Sequence, residues 1–97
     1  MYARLTKIQI EVDKFDETSD LFQKSVAPAF KAQKGYRGIF FMADRKKGEC
    51  LCISLWDTEE DLVANEKSMS YQEQLIKFLD LFTESPIREG YEVVFQD

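Results

Sequence analysis

The chain contains no histidine among its 97 residues. Histidine is the usual general base near neutral pH, and it is a common ligand of haem iron and of catalytic zinc. Its absence excludes a histidine base and a histidine-ligated haem. Cysteine is almost as scarce, because Cys50 and Cys52 are the only two. A Cys-x-Cys pair without histidine is a weak metal signal, so we predict no metal site.

Positive charge is also in short supply. The net charge is −5 and the isoelectric point is near 4.8, whereas nucleic-acid binding needs clustered Lys and Arg. The one basic cluster, Arg45-Lys46-Lys47, precedes Gly48 and is more typical of a solvated hairpin turn than of a phosphate site. We therefore predict that nucleic acid is not a partner of this protein.

Long apolar runs are missing as well. No segment approaches the ~18 apolar residues of a membrane helix, and the first residues lack the apolar core of a signal peptide. These features predict no membrane partner and a cytoplasmic location. Cys50 and Cys52 lie one residue apart in a predicted strand, where parallel side chains are poorly placed for a disulfide. Two free thiols in a reducing compartment fit this pattern.

What is present is apolar and patterned. Hydrophobic residues make up 44% of the chain and aromatic residues 13%, which is typical of a packed globule. A chain of this length buries about 60–65% of its extended surface. There are no repeats and no linker-like segments, so residues 1–97 are predicted to form a single domain.

The periodicity predicts the order β-α-β-β-α-β, with the second helix broken in two, in a ferredoxin-like α+β fold with a four-stranded antiparallel sheet. The predicted strands are Tyr2–Val12, Ile39–Ala43, Cys50–Trp56 and Tyr91–Gln96. The predicted helices are Asp16–Lys34, kinked at Pro28, a helix from a Thr58 cap to about Lys67, and a helix from a Ser70 cap to Pro86.

Both faces of the predicted sheet are apolar, and this pattern predicts a homodimer. Two helices cover one face, and a chain this short has no third layer for the other. We expect the series Leu51, Ile53, Leu55 to meet the helices. The side chains expected to lie towards a partner subunit are Phe40, Met42, Cys50 and Cys52.

Several short motifs together resemble one known family. They are Tyr2-Ala3-Arg4, Gln33-Lys34-Gly35-Tyr36-Arg37-Gly38, Ile53-Ser54-Leu55-Trp56 with the following Asp57-Thr58-Glu59-Glu60-Asp61, Tyr71-Gln72-Glu73-Gln74, and Tyr91-Glu92-Val93-Val94. In this order they resemble the antibiotic biosynthesis monooxygenase family. The resemblance implies a dimeric α+β barrel whose subunits bind a small organic molecule between sheet and helices. It also implies, for some members, oxygenation of phenols without metal or flavin.

The resemblance suggests a role for Trp56, because the tryptophan at this position lines the pocket of oxygenating relatives. A ring that simply fills the dimer core or plugs the end of the strand is an equal alternative. Haem-degrading relatives carry an iron-binding histidine on the helix that here runs through Tyr71-Gln72-Glu73-Gln74-Leu75. This helix has none, which argues against haem degradation.

Five further side chains are candidates for the site. As catalytic candidates, Asn65 has an amide suited to an enolate-like intermediate and Tyr71 has a hydroxyl suited to donating a hydrogen bond or acting as a weak acid or base. The substrate-binding candidates are Tyr36, Arg4 and Arg37, the arginines for a carboxylate or phenolate. The alternatives without a functional role are an Asn65 exposed to solvent, a Tyr36 that only packs, and surface ion pairs for both arginines. The catalytic asparagine of the family usually lies on the first strand, which here offers no asparagine.

Two functions remain open at this point. The first is the cofactor-independent oxygenation of a small aromatic or quinol-like molecule, for which no cofactor is expected. The alternative is a non-catalytic homodimeric module that binds a small hydrophobic molecule. The missing histidine and the missing strand-one asparagine favour the alternative.

Overall fold

A computed structural model describes residues 1–97 as an α+β fold with one four-stranded antiparallel sheet, which confirms the predicted fold class. The strands are β1 (Tyr2–Gln9), β2 (Tyr36–Asp44), β3 (Glu49–Trp56) and β4 (Ile87–Glu92). The helices are α1 (Phe15–Leu21), α2 (Ala27–Lys31), α3 (Glu59–Lys67) and α4 (Met69–Phe78). The strand order β2-β3-β1-β4 makes β1 and β3 the two central strands; α3 contacts both of them, and α2 contacts β2.

The predicted first helix is a bent series of turns. A 3₁₀ turn at Val12–Lys14 leads into α1, and a π-helical turn at Phe22–Val26 joins α1 to α2. The kink predicted at Pro28 takes this form because proline has no N–H for the carbonyl four residues earlier, and its ring crowds that carbonyl. The helix ends at Lys31, and Gly35 adopts a left-handed φ of 82° before β2.

The Thr58 cap is confirmed, since the Asp61 backbone N–H donates to Thr58 Oγ1 at 3.1 Å. The Ser70 cap is wrong. Ser68 caps α4 instead, accepting the Tyr71 backbone N–H at 3.1 Å. Its hydroxyl also donates to the Asn65 carbonyl at 2.7 Å, so the α3–α4 joint is too tight to leave room for a cap two residues later.

The last strand was predicted four residues too late. β4 begins at Ile87, directly after Pro86, and ends at Glu92. Glu92 pairs with Tyr2 at the start of β1, so the residues that follow have no strand beside them. The alternation that continues past the strand therefore has no partner, and Val94 and Phe95 are exposed.

The prediction of which β3 face meets the helices is also wrong. Cys50, Cys52, Ser54 and Trp56 face the helices and are buried, whereas the alternate residues face away and are only half-buried. The pairing fixes this, because Cys52 lies opposite Phe41 and Thr6. The small side chains face the helices because the bulk on that side comes from aromatic residues of the helices themselves.

The prediction that Phe40 and Met42 lie on the face without helices is confirmed. Their side chains are 56% and 42% exposed in the single chain, and on β4 Ile87 and Tyr91 extend the same apolar surface. We call this the open face: Phe40 and Met42, the side chains Leu51, Ile53 and Leu55 that pair beside them, and Leu5, Ile87 and Tyr91 on the neighbouring strands.

Candidate active site

The helix-covered face of the sheet carries a cavity of about 60 Å³. Nine of its twelve lining residues are hydrophobic. The sheet contributes Arg4, Thr6, Ile8 and Cys52. The helical side contributes Phe22, Val26, Phe30, Tyr71, Gln74, Leu75, Phe78 and Phe82. Thr6, Leu75 and Phe82 are the partly exposed members, so the cavity approaches the surface on their side.

The periodicity of two elements creates this lining. Alternation along β1 places Arg4, Thr6 and Ile8 on the helix-covered face. On α4, Tyr71, Gln74, Leu75 and Phe78 follow the spacing i, i+3, i+4, i+7 and so lie on one side of the helix. The π-helical turn adds Phe22 and Val26, and π-helical turns recur at functional sites.

Arg4 is the buried charge of this cavity, with a side chain that is only 2% exposed. Its Nη2 donates to Asn65 Oδ1 at 2.8 Å. The guanidinium carbon lies 4.8 Å from the ring centroid of Tyr71, 5.3 Å from that of Phe30 and 5.7 Å from that of Trp56. This aromatic surround attracts a cation electrostatically, so it favours the charged guanidinium in place of water.

One carboxylate serves two arginines beside the cavity. Glu66 Oε1 lies 3.7 Å from Arg4 Nη1 and 3.6 Å from Arg88 Nε. Arg88 Nη1 also donates to the Tyr71 hydroxyl at 3.1 Å, and this hydrogen bond raises the pKa of Arg88. Burial lowers the pKa of Arg4, although Tyr71 and Glu66 oppose the shift. An arginine nevertheless keeps its proton in a protein.

Two buried donors at this point have no partner, Arg4 Nη1 and Asn65 Nδ2. They belong to the two side chains that are joined by the 2.8 Å hydrogen bond. A buried polar atom without a partner loses its hydration with nothing in return, at a cost of ~1–3 kcal/mol. Such atoms are rare in folded proteins and commonly mark a functional position.

Trp56 is completely buried and lies behind Arg4 and Phe30, without lining the cavity itself. Its Nε1 donates to Ser54 Oγ at 3.0 Å, and its ring packs at 6.0 Å against the rings of both Phe30 and Tyr36. The ring fills the interior on the helix side of the sheet, which rules out the dimer-core position.

The other predicted binding residues lie outside the cavity. Tyr36 packs edge-on against Trp56, and its burial raises the pKa of its hydroxyl. Arg37 is 58% exposed and forms a surface ion pair with Asp57 at 3.0 Å, which is the alternative without a functional role. The structure thus brings together Arg4, Asn65 and Tyr71, with Trp56 behind them, and leaves Tyr36 and Arg37 apart.

The thiols are poor nucleophiles here. Burial raises the pKa of Cys52 to about 12, with Arg4 acting weakly in the opposite direction. Burial also raises the pKa of Cys50 to about 11. Both cysteines are free, and Cys52 presents a neutral thiol to the cavity.

Four contributors to the site were missed in the sequence. Thr6 was detectable because it follows Arg4 by two residues on a strand, and Gln74 because it follows Tyr71 by three on a helix. Glu66 and Arg88 carried no such signal, since their role depends on β4 pairing beside β1.

No cluster of three or more His, Cys, Asp or Glu side chains is placed to hold a metal ion. None of the helices combines the length and the apolar character required to span a bilayer.

Comparison with known proteins defines the class of this chain. The family model described as antibiotic biosynthesis monooxygenase matches residues 1–84. The chain belongs to this family.

Individual relatives are more distant. The proteins Rv2557 and MT2634, from two strains of Mycobacterium tuberculosis, are 27% identical to the chain over 93 residues. These matches cover 96% of this chain and 41% of each relative, so the chain spans about two fifths of the curated relatives it matches.

Two solved structures show the same fold. SnoaB, described as a cofactor-independent oxygenase from Streptomyces nogalater, superposes with a TM-score of 0.80 at 11% identity, covering 98% of this chain and 94% of that one. Rv0793 from M. tuberculosis superposes with a TM-score of 0.78 at 15% identity, covering 98% and 96%. At these identities the likeness establishes the fold alone.

Proposed function

We propose that the chain is a cofactor-independent monooxygenase that acts on a small aromatic or quinol-like molecule in the cavity between sheet and helices. The observation that carries the proposal is the buried Arg4–Asn65 pair, which keeps two unpartnered donors and whose Arg4 lines an aromatic cavity. Family membership and the description of SnoaB as a cofactor-independent oxygenase support it.

The reaction balances without a cofactor when the substrate supplies the electrons. A phenol with a free ring position loses two hydrogens, and one oxygen atom of O₂ becomes the new carbonyl. The other oxygen atom leaves as water, so one phenol and one O₂ give one quinone and one H₂O. The protein must favour the phenolate or enolate that reacts with O₂.

Arg4 and Asn65 suit this task. A positive guanidinium and an amide N–H stabilise negative charge on a substrate oxygen, and the apolar lining strengthens the interaction by excluding water. Tyr71 lies beside them with its hydroxyl already accepting from Arg88, which holds the hydroxyl in place for a contact with the substrate. In our proposal Tyr71 and Asn65 are the catalytic residues, and Arg4 binds the substrate.

The source of the base shapes the choice of substrate. The cavity lining contains neither a carboxylate nor a histidine, and Cys52 is held as a neutral thiol. The substrate must therefore lose its phenolic proton to water, or bind in a form that is already deprotonated. Acidic phenols and quinols are the substrates that this site favours.

Binding a ring also requires the cavity to widen. A volume of about 60 Å³ is well below the ~150 Å³ that accommodates benzene. Leu75 and Phe82 lie at the partly exposed end of the cavity, and rotation of these side chains would widen it. Phe82→Ala is therefore expected to improve the binding of larger phenols, whereas Phe95→Ala, at an exposed position after β4, serves as the control.

We also propose that the working unit is a homodimer formed through the open face. Phe40, Met42, Ile87 and Tyr91 are each 42–56% exposed, and together they form an apolar surface on a sheet. Covering such a surface with a second copy removes it from water, at ~25 cal/mol per Å² of apolar area. The buried, unpaired thiols fit the cytoplasm, which we propose as the location.

The test of the enzyme proposal is oxygen uptake with a panel of phenols and hydroquinones. Wild-type protein is expected to show saturable uptake with one O₂ consumed per quinone formed. Tyr71→Phe and Asn65→Ala should each reduce kcat about 10-fold or more, because each removes a group that contacts the reacting oxygen. Tyr91→Phe, on the open face, is the matched control and should retain full activity. Uptake that is equal in all variants would reject the assigned site.

The second candidate is a non-catalytic module that binds a small hydrophobic molecule. The only basic side chain in the cavity lining is an arginine, which keeps its proton and cannot act as a general base. The lack of a base favours this second candidate. Binding of panel members to the wild type without oxygen uptake for any of them would select this function over the first.

A further inference from the structure

Arg4, which lines the cavity, has no close partner of opposite charge. Arg4 and Arg88 contribute two positive charges, and Glu66 provides one carboxylate for both through contacts of 3.7 and 3.6 Å. These separations exceed hydrogen-bond length, so the shared carboxylate leaves Arg4 Nη1 without an acceptor. A buried charge is costly without a close partner of opposite charge, and the close contacts of Arg4 are the neutral Asn65 and three aromatic rings.

Arg4 also keeps a free donor. Its Nη1 is buried and unpartnered, while Nη2 donates to Asn65 Oδ1 at 2.8 Å, and Arg4 is a lining residue of the cavity. A guanidinium suits an oxyanion, because charge-assisted hydrogen bonds are stronger than neutral ones. A neutral acceptor would satisfy the donor without neutralising the charge, whereas a carboxylate would do both.

The rest of the lining selects the body of the ligand. Nine of the twelve lining residues are hydrophobic, and Phe22, Phe30 and Phe78 supply aromatic surface. We propose that the ligand of this cavity is a small apolar carboxylate, held by the Arg4 guanidinium with its hydrocarbon part among the aromatic side chains. This proposal refines the proposed function by making the ligand an acid that is already ionised at neutral pH.

The test compares two ligands of nearly equal shape, benzoate and benzamide. The single tryptophan lies 5.7 Å from the Arg4 guanidinium and gives a fluorescence signal for binding, and calorimetry gives an independent Kd. Benzoate is expected to bind wild-type protein about 10- to 100-fold more tightly than benzamide, because only the carboxylate forms charge-assisted hydrogen bonds with the guanidinium. Equal affinities, or no binding of either ligand, would overturn the proposal.

Two variants locate the effect. Arg4→Gln is expected to weaken benzoate about 10-fold or more while leaving benzamide unchanged, which a general loss of structure would not do. Arg45→Gln, an exposed arginine in the β2–β3 hairpin, is the matched control and should bind both ligands as the wild type does. Selectivity for benzoate that persists in Arg4→Gln would overturn the assignment to Arg4. If Arg4→Gln does not fold, the comparison of benzoate with benzamide on wild-type protein still tests the proposal.

The outcomes separate this proposal from the oxygenase proposal. Selective benzoate binding without oxygen uptake by any phenol or hydroquinone would reject only the oxygenase. Oxygen uptake combined with equal binding of benzoate and benzamide would reject only the carboxylate site.

Discussion

The two faces of this sheet have similar apolar content and differ in what accompanies it. The helix-covered face combines aromatic side chains with the buried polar residues Arg4, Ser54 and Asn65. Of these, Asn65 reaches the face from α3. The open face is lined by Phe40, Met42 and their neighbours, and it has no buried charge. Buried polar groups cost free energy unless they are paired, so they persist where they have a task. The comparison supports our proposals that place chemistry on the first face and assembly on the second.

The largest expected effect comes from truncating one aromatic ring on each face. Trp56→Ala should lower the free energy of unfolding by about 3–5 kcal/mol, because a fully buried ring leaves a cavity beside Phe30 and Tyr36. Phe40→Ala should cost far less per folded chain, since the ring is 56% exposed. Urea denaturation of both variants at high dilution measures the difference. Equal losses would show that the two faces are equally buried in the single chain.

The second prediction concerns assembly. Phe40→Asp should convert a homodimer into a monomer of 11.4 kDa or into an aggregate, because a carboxylate on the open face cannot be desolvated without a partner. Phe40→Leu keeps the surface apolar and should retain the dimer. Light scattering at micromolar concentration distinguishes the masses. A wild-type mass of 11.4 kDa would refute the role of the open face in assembly.

The third prediction uses the thiols on the helix-covered face. With pKa values of about 11 and 12, Cys50 and Cys52 should react with iodoacetamide at pH 8 about 100-fold or more slowly in native protein than in urea. Unfolded thiols lose their protons near pH ~8.5, so above that pH the unfolded chain binds fewer protons than the native one. The contribution of the two raised thiol pKa values to the free energy of unfolding is therefore complete below pH ~8.5. It is lost as the pH rises through 11 and 12.

A Cys50→Ala, Cys52→Ala double variant provides the control for this alkaline effect. Its stability should fall less steeply than that of the wild type between pH 9 and 11, although tyrosines with raised pKa values contribute to both curves. Identical slopes, or rapid alkylation of the native protein, would show that the thiols are accessible.

The element order and the Thr58 cap were predicted correctly, because they follow from periodicity and local capping. The Ser70 cap was wrong because Ser68, two residues earlier, also fits the spacing and accepts the backbone N–H. The face of β3 that packs against the helices could not be predicted, because Leu51 and Cys52 are both apolar. Only the pairing of β3 with β2 and β1 shows which of the two faces the helices. The role of Glu66 and Arg88 was likewise inaccessible, since it requires β4 to lie beside β1.

The smallest predicted effect concerns the positioning of the polar residues on the helix-covered face. Thr58→Ala removes the cap of α3, which carries Asn65, and should cost ~1 kcal/mol in the free energy of unfolding. Ser68→Ala removes the cap of α4, which carries Tyr71, and also the hydrogen bond to the Asn65 carbonyl. Because Asn65 Oδ1 holds the Arg4 guanidinium through a 2.8 Å hydrogen bond, each variant should weaken benzoate slightly while leaving benzamide unchanged. A capping change at either helix that alters both ligands equally would indicate a general loosening of the helices, and would leave Asn65 without a specific role in positioning Arg4.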